Sequence, residues 1–333
     1  MRSFIFQIVV YSILLWLLNW GVGSYLRTYE TKDLMETGQF FPALRWQEYY
    51  EREAPIDLLV LGSSHAYRAY DPKVMGVYLD KKNRIFNLGS AAQSPLISYY
   101  ILKEVVEKQR PKQVVMDLYF MVFTNDNQLR NRRYNWGYMR PGAAKKAFFR
   151  DGFSTEEKVK LTAFPSLVFK DYLKPKINKL LGRPHLLKKK GTYQGAGFVS
   201  NSDSLTLEKL TYHNQFDAFQ TKRTAITEMN LKYLKKIKDL CASEHIPLIF
   251  ATAPMPEISV KKIKNYTGFY QLFFKLAEAW NIPYIDYNIN RIETLSDTDH
   301  FYDDDHLNAA GAQVFSAAVT KELQNILNPK DKK

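Results

Sequence analysis

The sequence predicts an α/β layer sandwich built on a parallel sheet. Three observations carry that expectation: five short, near-continuous apolar runs, helical patterns between most of them, and a regular order of run and pattern from residue 56 to about 326. Apolar strands of this kind belong to sheets covered on both faces. Alternation of strand and helix joins such strands in parallel, with right-handed crossovers.

The first element precedes the sandwich. Residues 4–26, "FIFQIVVYSILLWLLNWGVGSYL", carry no charge and are long enough to cross a hydrocarbon core of roughly 30 Å. They read as a membrane anchor over residues 1–29, leaving 30–333 as one domain. A cleaved signal peptide is the alternative, although no A-x-A-like site is visible. Arg2 precedes the run, while Arg27, Glu30, Lys32 and Asp33 nearly cancel after it. The positive-inside rule therefore puts the N-terminus in the cytoplasm and the bulk outside, as a single-pass protein of the cell membrane.

After an aromatic-rich connector come the strand candidates, at residues 57–61, 84–89, 113–120, 246–254 and 282–288. The helix "SPLISYYILKEVVEKQRP" spaces Ile97, Tyr100, Ile101 and Val105 on one face and stops at Pro111. "TAITEMNLKYLKKIKDLCASEH" does the same with Ile226, Leu231, Leu234, Ile237 and Leu240. "GFYQLFFKLAEAWN" leads into the last strand, and "NAAGAQVFSAAVTKELQNIL" closes the fold. One block, 125–221, breaks the alternation: it is rich in Arg, Lys, Tyr and Phe, with the turn-rich pieces "YNWGYMRPG", "GRPHLLKKKG" and "TYQGAGF". An insertion in an α/β scaffold sits at its functional rim, so this one is expected to shape substrate binding.

The net charge of +13 favours anionic partners, lipid headgroups or an acidic glycan among them. The lysines are widely spread, the one local run "HLLKKKG" reads as a solvated loop, and no nucleic-acid module signature occurs. Nucleic acid is therefore not an expected partner. A single cysteine, Cys241, can form neither an internal disulfide nor a cysteine zinc site, and reads as a buried filler. No ligand cluster calls for a metal, and no cofactor is expected.

The chemistry starts at "IDLLVLGSSHAYRAYDP", residues 56–72. The apolar run ends at Leu61, breaks at Gly62 and is followed by Ser63, Ser64 and His65. Ligands of open parallel sheets bind beyond the carboxyl ends of the strands. Ser64 falls there, at the start of a helix whose N–H groups favour developing negative charge. A serine needs a base, and "DTDHFYDDDHLNAAGAQVFS" supplies one. Asp303 and His306 are close enough for the carboxylate to bond one imidazole nitrogen while the other points outward. Asp304 and Asp305 read as helix-cap and surface acids. Asp297 with His300 is a competing pair, ranked lower. His65, Tyr67 and Arg68 either line the cleft or simply pack the helix.

Together these stretches resemble the SGNH, or GDSL-like, hydrolases and acyltransferases, from residue 56 to about 326. "LGSSH" looks like the first block, with Ser64 at the nucleophile position; "FNLGSAAQS" is similar to the second; "FYDDDHLNAAGA" matches the aspartate-x-x-histidine block. The resemblance implies a flavodoxin-like α/β/α sandwich, a Ser64–His306–Asp303 triad, and an oxyanion hole drawing on Gly89 and, from "FTND", Asn125. Ser63 stands where the usual motif has aspartate, and the glycine usually preceding the asparagine–aspartate pair is missing. Both departures point to the membrane-anchored branch that includes the alginate O-acetylation and teichoic-acid D-alanylation proteins. That branch implies acyl transfer to an exported cell-envelope polysaccharide beside a membrane-bound O-acyltransferase, with an acylated donor. A carbohydrate esterase of the same fold, or a non-catalytic glycan-binding or scaffold component, are the alternative functions.

Overall fold

The structure is a computed structural model, and it describes residues 2–36, 41–79, 84–126, 129–183, 191–206, 216 and 225–327. The lysine run of "HLLKKKG", at 188–190, lies outside them. Five strands form one parallel sheet: β1 (Leu58–Leu61), β2 (Ile85–Asn87), β3 (Gln113–Asp117), β6 (Leu248–Thr252) and β7 (Tyr284–Asp286), in the order β2-β1-β3-β6-β7. Each falls inside one of the five apolar runs. The order is that of flavodoxin-like sheets, which reverse direction between the first and third strands. A two-stranded antiparallel hairpin, β4 (Thr192–Gly195) and β5 (Phe198–Ser200), occupies "TYQGAGF". Gly195, Ala196 and Gly197 at its tip all have positive φ, which glycine adopts without steric cost.

In chain order the helices are α1 (Arg2–Glu36), α2 (Phe41–Glu51), α3 (Ser64–Ala69), α4 (Pro72–Tyr78), α5 (Pro95–Lys108), α6 (Phe120–Phe123), α7 (Leu129–Tyr138) and α8 (Ala143–Gly152). They continue with α9 (Thr155–Ala163), α10 (Pro165–Phe169), α11 (Leu173–Leu180), α12 (Glu228–Ser243), α13 (Glu257–Lys262), α14 (Tyr266–Ala279), α15 (Asp297–His300) and α16 (Ala309–Leu327). Part of "YNWGYMRPG" is thus the last turn of α7 and not a free turn.

The chain divides into two compact units. One comprises residues 1–44 and 147–190, the other 45–146 and 191–333. In the first, α1 runs ten residues past the end of the apolar stretch and packs its C-terminal half against α10 and α11.

The second unit holds the sheet. Side chains alternate across a strand, so Leu58 and Val60 join Val115, Ile249 and Ala251 on one face, under α3, α4 and α16. There Phe315 meets Tyr70 and Tyr287 edge-on, at 4.9 and 5.0 Å. Burying each such side chain contributes about 1.5–3 kcal/mol. The opposite face carries α5 packed on α12, with Ile97, Ile101, Leu234 and Ile237 all buried. Cys241 of α12 is buried as expected, and burial pushes its thiol up to about 12.

Beneath the strand ends lies a buried acid. Asp117, the last residue of β3, accepts from Ala253 N at 2.9 Å and from Tyr70 Oη at 3.2 Å, while its Oδ1 is buried without a hydrogen-bond partner. Burial raises this carboxyl to about 7. With the folded-state value above the unfolded one, its contribution to stability is full below about pH 4 and is lost as pH rises through about 7. Asp117→Asn is therefore expected to stabilise the protein above pH 7, on the order of 4 kcal/mol, with no gain at pH 4. Thermal unfolding of both forms across this range checks it.

Candidate active site

The strand-to-helix turn is built around Gly62. Its φ is +147°, and a Cβ there would stand 2.7 Å from Asp117 Cβ, so only glycine fits. Ser63 then caps α3 by accepting from His65 N at 3.3 Å. This gives Ser63 a local task that a carboxylate would equally perform. Ser64 becomes the first residue of α3, half-exposed, where helix N–H groups have no intrahelical acceptor.

The histidine comes from a tight loop pinned at its base. Phe301 and Leu307 form an antiparallel bridge, Tyr302 N donates to His306 O at 3.1 Å, and Asn308 Oδ1 accepts from Gly311 N at 3.0 Å to start α16. Within the loop Asp303 Oδ1 accepts from the His306 and Asp305 amides at 2.8 and 3.1 Å. That turn holds the carboxylate beneath its histidine.

The result is a continuous chain of contacts. His306 Nε2 lies 2.8 Å from Ser64 Oγ, and His306 Nδ1 lies 3.0 Å from both oxygens of Asp303. The fold thus brings Ser64, His306 and Asp303 together across more than 230 residues of chain. The competing pair is used structurally: Asp297 caps α13 by accepting from Glu257 N and Ile258 N, and His300 Nδ1 accepts from Ser296 N.

Asp305 departs from the sequence expectation. Instead of a surface acid it is 6% exposed, and Asp304 is 3% exposed. Its Oδ1 makes an ion-pair contact with His306 Nδ1 at 2.6 Å, while Oδ2 accepts from Tyr119 Oη at 2.9 Å and lies 3.5 Å from His65 Nε2. His65 stacks on Tyr119, ring centroids 3.7 Å apart, and burial lowers its pKa. Burial would also lower that of His306, but Asp305 and then Asp303 outweigh it and raise the group above its usual 6.5. Tyr302 stacks on His306, with the Arg68 guanidinium 4.8 Å above the Tyr302 ring. Thus His65 and Arg68 are both buried at the site, His65 beside Asp305 and Arg68 over the Tyr302 ring.

The two oxyanion candidates make contacts of their own. Gly89 N donates to Asn87 Oδ1 at 2.9 Å, because the Asn87 side chain folds back over its own turn and also donates to Ala66 O and Tyr70 O. The Gly89 amide thereby holds the Asn87 side chain, whose Nδ2 ties β2 to α3. Its carbonyl accepts from Arg45 Nη1, a fully buried guanidinium that also donates to Asn135 Oδ1 at 3.1 Å. Asn135 in turn donates to Ser90 Oγ at 2.9 Å. Asn125 is exposed, and its carbonyl faces Asn230 of α12 at 3.5 Å. The contacts joining Ser64 to His306 and Asp303 include neither residue. Arg45 and Asn135 carry no motif. The fold-back of Asn87 could have been read from Asn-Leu-Gly, a spacing that favours an asparagine-closed turn.

His65, Asp305 and His306 also bring three donor atoms within 4.8 Å of one another, a set able to hold a metal ion. The same His306 imidazole thus belongs both to this set and to the contacts with Ser64 and Asp303.

No protein-family model matches the chain, and no curated protein matches it. Among solved structures it is similar to a protein described as an acylhydrolase from Bacteroides fragilis NCTC 9343, at 13% identity over 84% of this chain and 94% of that one, with a TM-score of 0.39. It is also similar to the acetyl xylan esterase AlAXEase, at 12% identity over 81% of this chain and 99% of that one, with a TM-score of 0.37.

Proposed function

We propose that the protein is a serine-dependent acyl-transfer enzyme working through an acyl-Ser64 intermediate. The observation that carries this reading is the 2.8 Å contact from Ser64 Oγ to His306 Nε2, with Asp303 on the other nitrogen. His306 takes the Ser64 proton as Oγ attacks an ester carbonyl, and Asp303 holds the tautomer and stabilises the imidazolium. The Ser64 amide at the start of α3 faces the developing oxyanion. His306 then returns the proton to the leaving alcohol, and a second hydroxyl resolves the acyl-enzyme.

Asp305 acts with Asp303. The imidazolium formed during attack has two carboxylates converging on its Nδ1, one half-buried and one buried. A second negative charge at this range makes His306 a stronger base, which is also protonated over a wider range of pH.

The acceptor is proposed to be a hydroxyl of an exported cell-envelope polysaccharide. Two features support this: an N-terminal helix long and apolar enough to cross a membrane, and a net charge of +13 suited to anionic glycans. The acyl donor would be presented by a membrane-bound O-acyltransferase. With water as acceptor the same site is an esterase.

The test uses the full chain in detergent, a chromogenic acetyl ester, and an envelope polysaccharide as acceptor. Ester turnover that acetylates the glycan and needs Ser64 supports transfer. Turnover yielding free acetate alone means an esterase. Equal release and equal glycan acylation by wild type and Ser64→Ala would leave a binding or scaffold protein.

A further inference from the structure

The unit formed by residues 1–44 and 147–190 carries an apolar surface that the chemistry does not use. From Phe4 to Leu18, 15 residues, α1 is exposed on every side. At 1.5 Å per residue that is about 22 Å, short of a hydrocarbon core of about 30 Å. A bilayer around α1 must therefore reach about five residues further, to the level of Gly23.

That level is where α10 packs. A Cβ on Gly23 would stand 2.4 Å from Ser166 N and 2.6 Å from Pro165 C, and Asn19 Nδ2 donates to Ser166 Oγ. One turn further on, Lys176 of α11 sits over Tyr25 and Tyr29 at 5.0 and 4.9 Å and pairs with Asp33 at 3.0 Å. Both short helices are thus fixed to α1 at the end of its apolar stretch.

What they turn outward is apolar. Leu173, Ile177, Leu180 and Leu181 follow the i, i+4, i+7, i+8 pattern of a single helix face, yet all are 45–69% exposed, and Leu167 of α10 is 51% exposed. Phe169, Tyr172 and Pro175 are the buried side of the same segment. Between residues 170 and 183 stand five cations and one acid, Asp171, and Lys170, Lys174 and Arg183 are exposed. An apolar face flanked by basic residues is the pattern of a helix lying in a membrane interface.

We infer that residues 165–181 form a collar seated on an anionic bilayer, with Leu167 and the Leu173–Ile177–Leu180–Leu181 face in the boundary between headgroups and acyl chains. The adjacent lysines meet the lipid phosphates. The collar fixes α1 at its point of exit and gives the chain a second membrane attachment beside the span. It does not depend on the reaction proposed above.

The test places an environment-sensitive fluorophore on Leu180→Cys of the full chain, reconstituted in phosphatidylcholine vesicles with phosphatidylglycerol. Cys241 is buried, so the introduced thiol is the one that reacts. Acyl-chain doxyl lipids are expected to quench the label about twofold, and less when phosphatidylglycerol is omitted. With the label on Ile177→Cys, the double change Leu180→Glu and Leu181→Glu, at exposed positions, should abolish the quenching. A label quenched only by an aqueous nickel chelate would overturn the inference. So would a label shielded from both quenchers, since protein would then cover the face. Equal quenching without phosphatidylglycerol would overturn its anionic character.

Discussion

Ser64→Ala is expected to lower acyl release from an acetyl ester by about 10⁶-fold, the scale on which a serine nucleophile and its histidine act as a unit. His306→Gln should cost about as much, and the double variant little more. Additive losses would mean that the two side chains do not share one step. The fold should be unaffected, because Ser64 is half-exposed at the start of α3 and the cap is made by Ser63. Steady-state kinetics on the three variants, with circular dichroism as the folding control, checks this.

Asp305→Asn is expected to move the pH profile and not merely lower it. In the wild type, burial is outweighed at His306 by Asp305 first and Asp303 second, so the imidazole holds its proton above the usual 6.5. The free base accumulates only as pH rises through that raised value, and the rising limb of kcat/KM lies correspondingly high. Removing the Asp305 charge should bring the limb down by about 1–3 pH units. The alkaline plateau should fall much less, since Asp303 still orients the ring with both oxygens. Asp303→Asn should instead cost about 10⁴-fold in kcat, as expected when the wrong tautomer is held. If Asp305 served only to fix the loop through Tyr119 and His65, its loss would depress activity at every pH and leave the limb in place. Titrating the His306 imidazole by NMR in each variant reads the same shift without any substrate.

The sheet was legible because four of its five strands are buried throughout, and β7 in part, so that they are apolar almost without interruption, as in "DLLVL" and "IPLIFATAP". Ser64, Asp303 and His306 were legible because a turn after the first strand and a carboxylate three residues before a histidine are local patterns. Asp305 was not. Three consecutive acids read as solvated, and what buries Asp305 is Tyr119 just beyond β3 and His65 on α3, neither near it in sequence. The Gly89 amide donates to Asn87 Oδ1, an acceptor only two residues before it, and that contact was not read from the sequence. The collar was hidden for the opposite reason. Its residues fall in the insertion, where the exposed face of "LKPKINKL" acquires a meaning only from the helix beside it.

The most direct test of the nucleophile is to trap it. The full chain in detergent is treated with a fluorophosphonate above neutral pH, and the intact mass and its peptides are followed with time. A single adduct on the peptide bearing Ser64, absent from Ser64→Ala and strongly slowed in His306→Gln, is the expected result. An adduct elsewhere, or labelling at the same rate without His306, would show that the 2.8 Å contact between Ser64 and His306 does not activate the serine.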